Sequence, residues 1–430
     1  MIKLLITMLL NIIFISTVLS KDITVVILGA MPSEWEEEDF GQTAFNLTRA
    51  AEKRGEEIII AAPFKMNFIN ENNSKRSYLE LEDLSDVKKL MRKVKKITNP
   101  GDTVNLLLYG HGSPTTNEKN YNKTKIQLGS ERVKIDSLIG VINKTLPKNR
   151  AVKAIAPFCF SGSIHLLSHS RKNSCSAAAS DFRTPSEGES SCFWGSCQAI
   201  SSYGMSISNL IKDNPSISLS QAHELIGEKD HLNNRRGQLS SIDYIERIFK
   251  VGPYKVQKNW FERVFSDYPD ETLDKNYTMK TCSDFKGPEF LDQEQFQKLI
   301  SDTENIIQEL SLENAFDERV PKFVVLEMEK NLERYQKNFS DESTELGQLH
   351  LNVVYNVQEY NKKIKENGFT DWEETKFIND LKDELNQKTN EVLRYHLYKE
   401  RINLINLLYQ KGSKNQIDKF ENLVMCETSS

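Results

Sequence analysis

The chain has 430 residues, more than one hydrophobic core usually serves, so two folded units are expected. Its composition is ordinary for a soluble protein, 38% hydrophobic and 27% charged. A formal net charge of −5 gives no electrostatic reason to expect nucleic acid or an anionic membrane as partner.

Residues 1–20 stand apart from the rest. Lys3 is the lone charge, and an apolar run from Leu4 to Leu19 follows, interrupted by Asn11. Val18 and Ser20 are small enough for cleavage before Lys21, so the segment reads as a secretory signal peptide. That makes the mature chain exported: extracellular, periplasmic or in a lysosome- or vacuole-like compartment. The rival reading is an uncleaved anchor, but sixteen residues fall short of the roughly 20 that a spanning helix needs. No other stretch is long and apolar enough to span.

Strands and helices then alternate from residue 21 to about 285. Residues 23–29, Ile-Thr-Val-Val-Ile-Leu-Gly, have the pattern of a buried strand. An acidic loop, Glu34 to Asp39, comes next, and Gly41 to Arg54 reads as a helix stopped by Gly55. Residues 57–62 form a second strand, completing a βαβ unit. Residues 65–80 read as loop, and Leu81 to Ile97 as a helix with Leu84, Val87, Leu90 and Val94 on one face. After the turn Asn99-Pro100-Gly101-Asp102, an apolar run begins at Thr103 and ends at His111 and Gly112. Residues 113–131 read as polar loop and Ile135 to Leu146 as a short helix. A second apolar run, from Val152, ends at Cys159, and Ser161 to Ser168 starts a helix. Residues 174–180 make a short strand of small residues, 181–196 a Ser/Gly/Glu-rich loop, and Met205 to Ile211 a helix. The alternation argues for an α/β fold, a mostly parallel sheet with helices on both faces.

Composition shifts near residue 285. Residues 290–425 are nearly free of Gly and Pro and carry apolar stripes such as Val324, Met328 and Leu332. The expected organisation is therefore a signal peptide over 1–20, a sheet domain over 21–285 and an all-α domain over 286–430, its helices packed on each other or on the sheet.

Six cysteines follow the signal: Cys159, Cys175, Cys192, Cys197, Cys282 and Cys426. Export permits disulfides. If Cys159 stays a thiol, five remain, so at least one more is free or pairs between chains. Cys192 and Cys197 lie close enough to close a small loop. No His or second Cys pair stands at ligand spacing, so no metal and no cofactor is expected. Asn46, Asn72, Asn122, Asn143, Asn276 and Asn338 fit the Asn-x-Ser/Thr acceptor pattern.

Open α/β sheets keep their sites at the carboxyl edge, where two apolar runs here end in His111 and Cys159. A thiolate is the reactive form of Cys, and a neighbouring imidazole acts as its base and then protonates a leaving amine. Acyl transfer also needs N–H donors aimed at the oxyanion. Gly112 lets the backbone approach a substrate without a Cβ, and the N–H of Cys159 supplies a second donor. A lone Cys ending an apolar run is commonly inert packing. The pair is more informative, because each ends a strand and they lie 48 residues apart in the order His then Cys. His165 and His169, four apart, are alternative bases, but a helix starting at the nucleophile points away from it. His223 and His231 read as surface residues. Ser161-Gly162-Ser163 does not fit the serine-hydrolase elbow.

His-Gly closing one strand and Cys closing another about 50 residues later resembles the caspase-fold cysteine peptidases. The run Cys159-Phe160-Ser161-Gly162-Ser163 looks most like the legumain family, and the resemblance covers about residues 22–250. It implies a His111–Cys159 dyad, an oxyanion hole from Gly112 and Cys159, a peptide or protein substrate, and a substrate-side loop near Ser202 and Tyr203. Such enzymes often carry a regulatory segment, which implies self-inhibition by the C-terminal helical region until a cut near 270–290. Two departures limit the likeness: Pro157 stands where legumains have an acidic residue that helps bind the substrate, and Ser202 falls where they have another. Asn or Asp specificity is therefore not carried over. The rival reading is a catalytically silent secreted module that binds through its C-terminal helices. A third is a ligase that resolves the same acyl-enzyme with an amine.

Overall fold

A computed structural model gives the structure of the protein and describes residues 21–29, 34–63, 76–113, 124–158, 161–180, 190–193, 196–199, 203–229, 238–249, 316–330 and 401–429. The signal-peptide segment, Cys159, Ser202, Cys282, His231, Leu332 and the 270–290 region lie outside the described residues.

The first half of the chain lays down β1 (Ile23–Leu28), α1 (Glu34–Lys53), β2 (Glu57–Ala62), β3 (Arg76–Glu80), α2 (Leu84–Ile97), β4 (Thr103–Tyr109), β5 (Gly112–Ser113), β6 (Lys125–Leu128), β7 (Glu131–Lys134) and α3 (Ile135–Thr145). Then come β8 (Ala151–Ala156), a 3-10 helix (Ser161–Ile164), α4 (His165–His169), β9 (Cys175–Ala178), β10 (Ser190–Phe193), β11 (Ser196–Ala199), α5 (Tyr203–Asp213), α6 (Leu219–Lys229), β12 (Gln238–Leu239), α7 (Ser240–Ile248) and α8 (Lys414–Thr428). Residues 322–330 and 401–411 are also helical.

The protein is an α/β fold with a helical C-terminal region. Its main sheet has seven strands in the order β12-β9-β8-β4-β1-β2-β3. Six are parallel, and β12 closes one edge antiparallel to β9. Central strands are buried on both faces, which is why β1 reads as unbroken Ile-Thr-Val-Val-Ile-Leu. On one face α2 and α3 cover Val25, Ile27, Ile59, Leu106, Leu108 and Ala154. On the other, Phe40, Ala44, Leu47 and Ala51 of α1 cover Val26, Leu28, Ile58, Ile60 and Leu107. The start of α2 is fixed by a reciprocal box: Asp83 accepts from the Ser85 and Asp86 amides while the Asp86 carboxylate accepts from the Asp83 amide.

Four sequence expectations are corrected. The acidic run Glu34–Asp39 is not a loop but the first turns of α1; glutamates form helix readily, and acids suit its positive end. Residues 76–80 are the edge strand β3, half-exposed and so without an apolar signature. Within 113–131, β5, β6 and β7 form a small antiparallel sheet with Ile126, Leu128 and Val133 buried. Its period-2 pattern is only four residues long per strand, too short to register against the surrounding Asn and Lys. Within 181–196, β10 and β11 pair as a hairpin in which Cys192 and Cys197 are backbone partners.

The described C-terminal helices share a core with the sheet. Val320, Val324, Met328, Ile402, Ile405, Leu408, Phe420 and Val424 pack with Cys175 and Ala177 of β9 and with α5, α6 and α7. A disulfide joins Cys175 to Cys426, with 5.7 Å between the Cα atoms. Past α8, the Ser429 carbonyl accepts from Lys153 Nζ at 2.9 Å, toward the amino ends of the strands and so at the end of the sheet opposite His111. Among the described residues no helix is long and apolar enough to cross a membrane.

Candidate active site

β4 and β8 are neighbours, parallel, and paired from Thr103↔Ala151 to Leu107↔Ile155. Every pair in that ladder has an offset of 48, which is also the separation of His111 and Cys159. In sequence both residues therefore stand four positions past the last registered pair of two adjacent strands, which lie about 4.8 Å apart. The structure places His111 just beyond β4 and Gly112 at the start of β5. Cys159 lies outside the described residues, but its neighbours Phe158 and Ser161 are described, and both are buried.

The His111 end is held by three contacts. The Gln127 amide donates to the His111 carbonyl at 2.8 Å, and the Gly29 amide to the Tyr109 carbonyl at 2.6 Å. Phe40 stacks on Tyr109 at 4.0 Å between centroids, and the same ring lies 5.9 Å from that of His111. β6 crosses so close that a Cβ on Gly29 would fall 2.1 Å from the Gln127 carbonyl oxygen. Glycine is required there by close approach and not by dihedral freedom.

The chain after Phe158 is fastened separately. Ser180 Oγ accepts from the Ser161 amide at 3.2 Å and donates to the Phe158 carbonyl at 3.3 Å. Thr124 Oγ1 donates to Ser163 Oγ at 2.6 Å. Thr124 precedes β6 directly, so one short segment grips both candidate ends, Ser163 through Thr124 and His111 through Gln127.

The remaining candidates sit elsewhere. Tyr203, the first residue of α5, is 4% exposed, and its hydroxyl is hydrogen-bonded to His223 Nδ1 at 2.7 Å. Burial pushes that phenol's pKa up, so it stays protonated. His223 is buried rather than on the surface, because α6 packs onto α5. Next to Tyr203, Gly204 lies under the ends of the two key strands: a Cβ there would meet Tyr109 Cε1 at 2.8 Å and Pro157 Cβ at 3.2 Å. His165 bonds Ser176 Oγ at 2.8 Å and His169 bonds the Ser240 carbonyl at 3.0 Å. Burial lowers their pKa values to about 3 and about 4, so both are neutral at pH 7. Among the described residues no cluster of His, Cys, Asp and Glu could hold a metal ion.

Sequence reasoning missed Ser180, Thr124 and Gln127, because each acts through one hydroxyl or amide and leaves no pattern. It also missed Glu427, a 2%-exposed carboxylate that accepts from Ser240 Oγ at 2.6 Å, from the Ser241 amide at 2.8 Å and from Ser241 Oγ. Of the glycan acceptors, Asn46 is fully buried and donates to Asn209 Oδ1 at 2.9 Å; Asn143 is partly exposed and bonds Ser170. The other four lie outside the described residues. Compared with known proteins, the chain matches no family model and no curated protein.

Proposed function

We propose that the protein is an exported cysteine endopeptidase of caspase-like, legumain-like fold, working through His111 and Cys159. The observation that supports the reading is the shared offset of 48 between the β4–β8 ladder and the two residues: in sequence each stands four positions past the last registered pair of two adjacent parallel strands. The Cys175–Cys426 disulfide supports export, since such bonds persist in oxidising compartments.

In this reading the Cys159 thiolate attacks the scissile carbonyl carbon and a C–S bond forms. The developing oxyanion is met by the N–H groups of Gly112 and Cys159. Collapse breaks the C–N bond, and the His111 imidazolium gives its proton to the leaving amine. Water, deprotonated by His111, then hydrolyses the thioester and frees the carboxylate and the thiol.

The test is a positional-scanning peptide library on the purified protein and on Cys159→Ala and His111→Ala. Wild type cleaves, and each variant loses about a thousandfold or more in kcat. Iodoacetamide blocks wild-type activity by labelling Cys159. Cleavage that survives Cys159→Ala overturns the dyad, and no turnover by wild type on any library member favours the silent binding module.

A further inference from the structure

Where β8 ends, its ladder stops supplying partners to the backbone. The Phe158 carbonyl and the Ser161 amide are both in the core, and an unpaired buried group costs about 1–3 kcal/mol. One side chain serves both. Ser180 has no exposed surface; its hydroxyl donates to the Phe158 carbonyl at 3.3 Å and accepts from the Ser161 amide at 3.2 Å. The Ser180 amide donates back to Ser161 Oγ at 3.3 Å. Ser180 is itself carried by β9, and the Ala179 amide extends the β8–β9 ladder to the Ala156 carbonyl at 3.1 Å. The hydroxyl thus fixes the separation of two backbone groups that have only Cys159 and Phe160 between them. A Ser side chain has one rotatable bond before its hydroxyl, so the grip is stiff.

We propose that Ser180 is the positioning residue of the nucleophile: its hydroxyl fixes the Phe158 carbonyl and the Ser161 amide that flank Cys159 in the chain, and it does not itself touch substrate. This rests on the peptidase reading. Alanine at 180 leaves a carbonyl and an amide without their partner on either side of Cys159. Misplacing a reacting group by about 1 Å costs up to about a hundredfold in rate.

The full-length protein is compared with Ser180→Ala, Ser180→Thr and Ser161→Ala. Two quantities are read: kcat and KM on a peptide found by the library, and the rate of Cys159 alkylation by iodoacetamide against pH, followed by mass spectrometry. Ser180→Ala is expected to lower kcat by about tenfold or more with KM within about threefold, and to change the alkylation rate at Cys159 by a similar factor. Ser180→Thr keeps a hydroxyl and restores most of both. Ser161→Ala removes the three contacts that the Ser161 hydroxyl makes with Ser180 but leaves the clamp, and stays within about threefold of wild type. That variant separates positioning from a general loss of folding. Unchanged kcat and alkylation in Ser180→Ala, or equal losses in Ser180→Ala and Ser161→Ala, overturn the proposal. If wild type cleaves nothing, the peptidase reading fails on its own, and the alkylation series still decides whether Ser180 controls Cys159.

Discussion

Cys175, the first residue of β9, is bonded to Cys426, 251 residues later in α8. The bond ties the last helix into the same core that holds β9, α6 and α7. A cut anywhere between α7 and residue 401 therefore leaves α8 attached. Limited proteolysis in that interval is expected to give one species on a non-reducing gel and two after reduction. Cys426→Ser is expected to cost about 2–5 kcal/mol and to lower the thermal midpoint, checked by calorimetry with and without reductant. A truncation before Lys414 that keeps the wild-type midpoint would show that α8 is dispensable.

Glu427 makes the fold depend on pH. Its carboxyl is fully enclosed, capping the first residues of α7. Burial, with Glu327 nearby, raises its pKa from 4.5 to about 7, against the pull of its three hydrogen bonds. Around it stand Glu224 of α6, Glu327, and Arg401, which lies 4.0 Å from Glu224. Apart from it, His169 of α4 faces Asp243 of α7, which Arg247 also pairs, and Lys419 of α8 donates to the Ser168 carbonyl. The folded state holds the Glu427 proton more tightly than the unfolded chain. Its contribution is therefore full below about pH 4.5 and is lost as pH rises through about 7, worth about 3 kcal/mol at most. His165 and His169 act oppositely: their lowered values favour folding above about 6.5 and are lost as pH falls toward about 3–4. The difference between wild type and Glu427→Gln isolates the carboxyl. From pH 4.5 to 8 the wild-type urea midpoint is expected to drop progressively relative to that of Glu427→Gln, and parallel curves would remove Glu427 from the account.

Legibility followed from length and periodicity. β1 and β2 showed as apolar runs because both their faces are buried, β4 and β8 by their apolar runs with one face wholly buried, β9 by its small residues, and α2 by its stripe from Val87 to Val94. β3, β6 and β7 did not, since an edge strand or a four-residue strand has too few apolar positions to stand out. The spacing of 48 between His111 and Cys159 was visible, but its meaning depended on a register that only the paired strands supply. In Ser-Cys-Ser-Ala-Ala-Ala-Ser nothing marks Ser180 as different from Ser176, which instead meets His165. The partner of Cys175 likewise could not be read from spacing.

The crossing of β6 over the strand ends predicts unequal costs for two glycines. A Cβ on Gly29 meets the Gln127 carbonyl oxygen at 2.1 Å and the Gly110 Cα at 3.1 Å, both backbone, so nothing flexible can give way. On Gly110 the nearest atom is that same oxygen, at 3.1 Å. Gly29→Ala is expected to destabilise by more than about 3 kcal/mol and Gly110→Ala by about 1 kcal/mol, measured by urea unfolding. Because the Gln127 amide carries the His111 carbonyl, Gly29→Ala should also shift the His111 ring resonances in NMR spectra, and equal small costs at both sites would refute the close approach.

Gly204 offers a sharper test of how the strand ends are packed. A methyl there would press on Tyr109 at 2.8 and 3.0 Å, and on Pro157 at 3.2 Å. Tyr109 is sandwiched, with Phe40 stacked on it and touching His111 in turn, so the ring cannot retreat without moving that layer. Gly204→Ala is expected to cost about 1–3 kcal/mol and, under the proposed peptidase reading, to lower peptide turnover through the displaced imidazole. If the clash with Tyr109 is the cause, shortening that side chain relieves it. The double variant Gly204→Ala with Tyr109→Leu should then be less destabilised than the sum of the single changes by about 1 kcal/mol. Strict additivity would mean that α5 bears on the strand ends through Pro157, and the turnover loss should then persist in the double variant.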